Sequence, residues 1–529
     1  MIIRNAHCAL PGEDQLQKRD VRIEGERIAA ISKHLEPKAG EVEVDAGGLE
    51  LYPGAIDPHV HFNEPGITHR EDFAHGSMAA ARGGVTTVID MPCTSLPPVT
   101  NLANIKEKLA AMGHHSVVDY ALFAGVSGSN VEKALAEDMA ALAPHVVGFK
   151  CYFVSGMESF TAIDHYGFGQ VAAKARELGR PLLLHAEDAG TVLPATKAMR
   201  ERSYLEGRKP SWDDYVDSRP EEAEVAAVAG ALASAGKHAS AIHIVHVGTA
   251  SAAVLAAIGL PGIDSINPIP QPQVEAEMLG NPGIPFPPPV PGTSGGTCET
   301  CPHYLAFNRE DFADKGSALK TAPPVKSREQ AEQLWRLLED GTISFVASDH
   351  APAPDAEKAT GSPWTDYGGI PGTGTLFHYV YARGYKAGRL SLTSFLRAVS
   401  GAAAARYGLS GRKGALAVGM DADLVIIDPR ATHVVKGKEL LSKGTITPFE
   451  GMKLDGKILA TLVRGALVWD GRKKGILAGL EAAKGIAAST GATAPGGHAA
   501  ESALVDGVAS DGRIVAPLGH GKQLTWGYR

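Results

Sequence analysis

From about residue 54 to residue 420 the chain alternates short apolar or β-branched runs with amphipathic stretches, the pattern of strands followed by helices. The strand-like runs are "AIDPHVHF", "GVTTVIDMP", "SVVDYALFAGV", "VVGFKCYF", "PLLLHAED", "AIHIVHVGT", "GTCETCPHYL" and "ISFVASDHAP". Between them lie helix-like segments such as "FAHGSMAAARGG", "NLANIKEKLAAM", "VEKALAEDMAAL", "GQVAAKARELG", "EEAEVAAVAGALASAG" and "REQAEQLWRLLEDG". Eight strands each followed by a helix predict an α/β chain built on a (β/α)8 TIM-like barrel. A doubly wound open sheet gives a similar string.

Outside this block the pattern changes. Residues 1–53 offer "DVRIEGERIAAI" and "EVEVDA", and the stretch after residue 414 offers "DADLVIID" and "ILATLVRGALVWDG". These alternate like strands with tight turns, so residues 1–53 plus 414–475 are expected to pair into a small β-sandwich domain beside a barrel of residues 54–413. A proline-rich insertion, residues 267–296, falls between the helix after the sixth strand and the seventh strand. On a barrel that is the face opposite the active site, which suits a surface insertion or an assembly contact. An Ala/Gly-rich C-terminal extension occupies residues 476–529. No repeat of 20 to 50 residues suggests a solenoid.

Composition narrows the class. With 529 residues, 44% hydrophobic and 21% charged, the chain is an ordinary globular protein, long enough for a large core. A net charge of -8 favours neither nucleic acid nor an anionic membrane. The N-terminal "MIIRNAHCALPGED" lacks the apolar core of a signal peptide, and no segment has the ~18 uninterrupted apolar residues of a membrane span. A cytoplasmic location is the expectation. Five cysteines do not make a disulfide scaffold, and the C-x-x-C of Cys298 and Cys301 has no second pair to complete a structural zinc site.

The candidate chemistry lies at the strand ends. His59 and His61 are two apart at the end of the first strand, so their side chains share a face and can chelate one ion. Alone, such a pair is as often structural. His185 ends the fifth strand, His246 lies near the end of the sixth and Asp349 ends the eighth. Barrel active sites are built on that side, and histidines with a carboxylate suit zinc or a similar borderline ion. His243, at odd spacing from His246, is expected to face the other way.

Lys150 stands within the apolar run "VVGFKCYF". An unpaired buried ammonium is costly, and its pKa falls until the amine is neutral. A neutral amine can take up CO2 to give a carbamate, an anionic ligand able to bridge two metals. The alternative is that Lys150 snorkels to solvent or pairs with an acid.

With "DPHVHFNEPG", "AARGGVTTVIDMP", "GFKCYF", "LLLHAED", "IHIVHVGTA", "ETCPHYL", "APPVKS", "ASDHAP" and "DADLVIID" in view, the chain resembles the cyclic amidohydrolases of the amidohydrolase superfamily over about residues 1–475. That group includes dihydroorotase, allantoinase and hydantoinase. The resemblance implies a metal-dependent hydrolase that opens a cyclic amide, with two Zn2+ per subunit. His59, His61 and Asp349 would hold one metal, His185 and His246 the other, and carboxylated Lys150 would bridge them with a hydroxide. Asp349 would be the catalytic general base and acid. Asp57 would orient a ligand or serve as a turn residue. A homo-oligomer, dimer or tetramer, is the family's usual state. A non-catalytic scaffold homologue would have lost ligand positions, and all six stand here.

The substrate-binding positions are Asn63, Cys93 and Ala322. Dihydroorotase-like proteins have an arginine and two asparagines there to bind the substrate carboxylate, a task suited to arginine. Hydantoinase-like proteins carry a tyrosine where this chain has Ser155. Allantoinase-like proteins often read "HVHFNEPG", although they usually show "WEGF" and "MPLN" where this chain has "REDF" and "MPCT". The resemblance therefore points to a small-molecule cyclic ureide or imide, allantoin before dihydroorotate or a hydantoin.

Overall fold

The computed structural model describes residues 1–260, 296–471, 508–509 and 512–528. The proline-rich insertion and most of the C-terminal extension lie outside the described residues. Eight short parallel strands form the centre: β1 (Ala55–Val60), β2 (Val85–Asp90), β3 (Asp119–Leu122), β4 (Phe149–Tyr152), β5 (Leu182–His185), β6 (Ile242–Ile244), β7 (Thr297–Thr300) and β8 (Phe345–Val346). One run of pairing joins β1, β2 and β3, and another joins β4 to β8 in order. Ala124–Gly125 carries β3 onward to pair with β4. The ring closes where Val60 bridges His350 and the His61 N–H donates to the His350 carbonyl at 2.8 Å. A closed parallel ring needs helices outside it, so its strands are buried on both faces rather than alternating between buried and exposed residues. All six residues of β1, and all six of β2, are buried.

The helices begin where the sequence supplies caps. Asp72 accepts the His75 N–H at 2.8 Å and starts helix Phe73–Arg82; Asn101, Asp164 and Ser327 do the same for Leu102–Met112, His165–Glu177 and Arg328–Asp340. The first of these helices runs into β2 through Gly83 and Gly84. A side chain on Gly83 would meet the Thr373 and Gly374 backbone at 2.8 Å, and Gly84 has φ +80°.

Strands from both chain ends build a second, ten-stranded sheet. Leu424–Val434 pairs antiparallel with Glu50–Pro53 on one edge and with Lys453–Val463 on the other. It has its own core, including Ile3, Val21, Leu51, Leu424, Ile426 and Leu462. Gly54 separates the last residue of Glu50–Pro53 from β1, so this sheet leads straight into the barrel. The C-terminal residues return to the same region. Gly512–Ile514 pairs with Ala466–Asp470, and Gln523 bridges Tyr120 in β3. Leu524 is fully buried in a cluster with Phe123, Leu183, Phe345 and Tyr407.

Asp119, Asp421 and Asp423 converge where the two units meet, close enough to suggest a cation site. Lys413 Nζ supplies the charge, 2.6 Å from Asp119, 2.9 Å from Asp421 and 2.6 Å from Asp423. Arg464 adds a second cation on Asp119. Among the described residues no helix is long and apolar enough to cross a membrane.

Candidate active site

The side chains singled out from the sequence meet at the C-terminal mouth of the barrel. Ligating atoms of His59, His61 and Asp349 lie within 4.8 Å of one another. His59 Nε2 and His61 Nε2 stand 3.2 Å and 3.3 Å from Asp349 Oδ1. His185 Nδ1 and His246 Nε2 form a second pair, 2.9 Å apart. The pairs adjoin, since the His59 and His246 rings are 5.3 Å apart. Three residues at this mouth, Asn63, His246 and Asp349, take positive φ of 59°, 42° and 49°. Such a backbone costs energy in a non-glycine residue and persists where surrounding contacts enforce it, often at functional sites.

Lys150 is fully buried on β4, in register with Leu183, while Tyr152 pairs with His185 one step further along. Its ammonium makes no hydrogen bond among the described residues and sits 5.0 Å above the Tyr152 ring. Burial pushes it down to about 8, with nearby acids opposing. Lys150 neither reaches solvent nor pairs with an acid, which removes the snorkelling alternative.

Burial also holds His59, His246 and His185 below the ordinary histidine range, favouring the neutral form that binds metals. His61 goes the other way: burial lowers it, but hydrogen bonds to Asp349 and Cys93 raise it to about 10. Burial raises Asp349, and the surrounding imidazoles, His59 foremost, overcome this and hold it well below the carboxylate range. A buried set of imidazoles, one ionised carboxylate and one unpaired amine has the chemistry of a metal site. His59, His61 and Asp349 are the three-donor group that could hold a metal ion.

Two carboxylates missed in the sequence support this set. Glu299 Oε1 lies 2.6 Å from His59 Nδ1, and Glu187 Oε2 lies 2.8 Å from His185 Nε2. Arg219 pairs with Glu187, which ends near 2 although burial alone would raise it. Burial pushes Glu299 well above its ordinary range, with Lys150 opposing. The clue for Glu299 was an acid inside the strand-like "CETC", the same anomaly that drew attention to Lys150. His243 corrects an expectation. It does not face away from the site, because its Nε2 meets Glu299 Oε2 at 3.1 Å, the carboxylate that also holds His59. The chain leaves regular strand geometry after Ile244, so counting by twos from His246 fails.

The remaining positions separate. Asn63 is buried, and neither its Nδ2 nor its Oδ1 has a hydrogen-bond partner among the described residues. Cys93 Sγ is 3.9 Å from His61 Nδ1 and 3.0 Å from the Tyr152 hydroxyl. Ala322 is half-buried in a bend whose flanking carbonyls, Thr321 and Pro323, accept hydrogen bonds from Tyr215 and Tyr304 at 2.7 Å. Ser155 donates to the Phe160 carbonyl at 2.7 Å and accepts from Met157, so its hydroxyl serves its own loop. Asp57 accepts the Ser348 N–H at 3.0 Å, tying β1 to the residue before Asp349.

Comparison with known proteins agrees with this arrangement. The amidohydrolase family model matches residues 51–468. An allantoinase from Rubrobacter xylanophilus is 35% identical over 85% of this chain and 91% of its own length. One from Solibacter usitatus is 32% identical over 88% of this chain and 94% of its own. Among solved structures, the L-hydantoinase (dihydropyrimidinase) of Arthrobacter aurescens superposes with a TM-score of 0.78 at 26% identity, covering 99% of both chains. By sequence match and barrel architecture together, this chain belongs to the amidohydrolase family.

Proposed function

We propose that this chain is a metal-dependent hydrolase of cyclic amides whose substrate is an uncharged five-membered ureide ring, allantoin, opened to allantoate. In this reading His59, His61 and Asp349 would hold one divalent ion, His185 and His246 would hold a second, and Lys150, carboxylated, would serve as a ligand to both. The carbamate forms when the neutral Lys150 amine adds to CO2 and loses a proton. When bound, zinc would supply a hydroxide nucleophile at neutral pH and polarise the substrate carbonyl. Asp349 would accept the proton of the attacking nucleophile and return it to the ring nitrogen, which leaves as a neutral ureido nitrogen rather than as an anion. His59, His61, His185 and His246 are buried, which strengthens their electrostatic contacts.

The observation that carries the choice of ring is Asn63. It occupies the position where an arginine would capture a substrate carboxylate, and it offers a neutral, buried amide with donor and acceptor uncommitted. A ureide ring edge presents a carbonyl and an N–H side by side, the complement of that amide. The names of the relatives point the same way. Hydantoin hydrolysis is the second reading, favoured by the structural neighbour from Arthrobacter aurescens, but Ser155 is turned to its own loop. A panel of allantoin, dihydroorotate and hydantoins at neutral pH decides. Allantoin should turn over fastest, and no turnover of allantoin rejects the substrate while leaving the family intact.

A further inference from the structure

We propose that Glu299 is a positioning residue for the metal side formed by His59, His61 and Asp349, acting through a carboxylate that it shares between His59 and His243. This rests on the metal reading above and adds to it a residue outside the six proposed ligands.

The contacts form one buried line. Glu299 Oε1 is 2.6 Å from His59 Nδ1, and Oε2 is 3.1 Å from His243 Nε2. His243 Nδ1 in turn lies 2.7 Å from the Thr297 hydroxyl. Glu299, His243 and His59 are 0%, 0% and 1% exposed, so water does not compete for these contacts. The His243 ring is also stacked on Phe345, 5.0 Å between centroids at 11°.

In its carboxylate form Glu299 only accepts hydrogen bonds, and both ring nitrogens facing it then carry their protons. His59 is then the Nδ1–H tautomer, and its lone pair is on Nε2, the atom that faces Asp349. His243 spends its Nε2–H on Glu299 and accepts from Thr297 at Nδ1. Each donor and acceptor in the line has one assignment, and the His59 ring is fixed in both tautomer and direction. The tie also spans the barrel. β1 bears His59, β7 bears Glu299 and β6 bears His243, whereas the strand between β7 and β1 is β8.

The other pair is held differently. His185 meets Glu187, two residues along its own chain, and Glu187 meets Arg219. The two sides therefore have separate supports, and loss of one should weaken one metal selectively.

The test measures zinc per full-length chain by mass spectrometry, zinc affinity by competition with a chromogenic chelator, and thermal midpoint. Wild type should hold about two zinc ions. In Glu299→Ala, one of them should bind about 10- to 100-fold more weakly, the usual range for loss of such a support, with the other unchanged. Glu299→Gln should recover most of the affinity. Its amide oxygen still accepts from His59, and its NH2 can donate to His243, which can switch tautomer because the Thr297 hydroxyl accepts as well as donates. Glu299→Asp keeps the charge but is one methylene too short to span both rings, and should bind more weakly than Glu299→Gln. If Glu299→Ala does not fold, that order decides: aspartate equal to or better than glutamine overturns the proposal. Two zinc ions of wild-type affinity in Glu299→Ala, or parallel loss of both, overturn it while leaving the metal reading standing. A wild type that binds less than one zinc ion overturns the metal reading, and the proposal with it.

Discussion

His185 Nδ1 faces His246 Nε2 across 2.9 Å, while the opposite nitrogen of His185 is committed to Glu187 at 2.8 Å. With Glu187 ionised, His185 presents its Nδ1 lone pair towards His246. Lys150 is the unpaired group beside it. Replacing Lys150 by alanine should reduce bound metal from about two ions per chain towards none. Activity should fall roughly a thousandfold or more, since metal charge stabilisation contributes several kcal/mol. Metal analysis together with turnover checks this, and a Lys150→Ala protein with both metals and full activity sinks the bridging carbamate.

Asn63 gives a cleaner probe of substrate binding than its neighbours. Its φ of 59° suits glycine, and both its amide atoms are buried without a partner. Asn63→Gly should therefore leave stability nearly unchanged while raising KM for the ring substrate about tenfold, as expected for 1–3 kcal/mol of lost hydrogen bonding. Asn63→Ala should show the same KM and lose about 1 kcal/mol more stability, because alanine disfavours that backbone. An unchanged KM in both variants would remove Asn63 from the substrate pocket.

Much of the fold and the site could be read from the chain alone. All eight strand-like runs contain a barrel strand, because each is a short apolar segment buried on both faces and followed by an amphipathic helix. His59, His61, His185, His246 and Asp349 stood out because strand ends are where a barrel gathers side chains. What escaped was long-range pairing. Glu299 meets a histidine 240 positions earlier, and no local period carries that information. His243 escaped for the opposite reason, since a strand period was counted through a residue where the strand had already ended. Residues 512–528 follow an Ala/Gly-rich stretch, and their composition gave no sign that Leu524 fills the core.

Lys358 makes a pH prediction. It is buried in the loop after β8, with Nζ donating to the Gly369 carbonyl at 2.5 Å and the Tyr367 carbonyl at 3.3 Å. Burial, helped by Lys320, pushes it down to about 7 from an ordinary 10.5. Between those values the unfolded chain binds the proton and the folded chain does not, so stability should rise with pH across that window. Below about 7 both states are charged and the cost of burying the charge is constant. Relative to Lys358→Met, the wild type should gain up to about 1.4 kcal/mol per pH unit between pH 7 and 10, read from denaturant midpoints. A difference that stays flat over that range contradicts the shift.

Leu524 tests whether the C-terminal residues belong to the folded unit. Its side chain is fully buried in a cluster that includes Phe123, Leu183, Phe345 and Tyr407, and its N–H donates to the Tyr120 carbonyl at 2.7 Å. Leu524→Ala deletes buried methyl groups and leaves a cavity in a cluster to which β5 and β8 contribute Leu183 and Phe345, so it should cost about 2–5 kcal/mol. Leu518→Ala, at a residue 37% exposed, should stay within about 0.5 kcal/mol. A Leu524→Ala midpoint no lower than that of Leu518→Ala would mean that these residues do not stay docked under the barrel in solution.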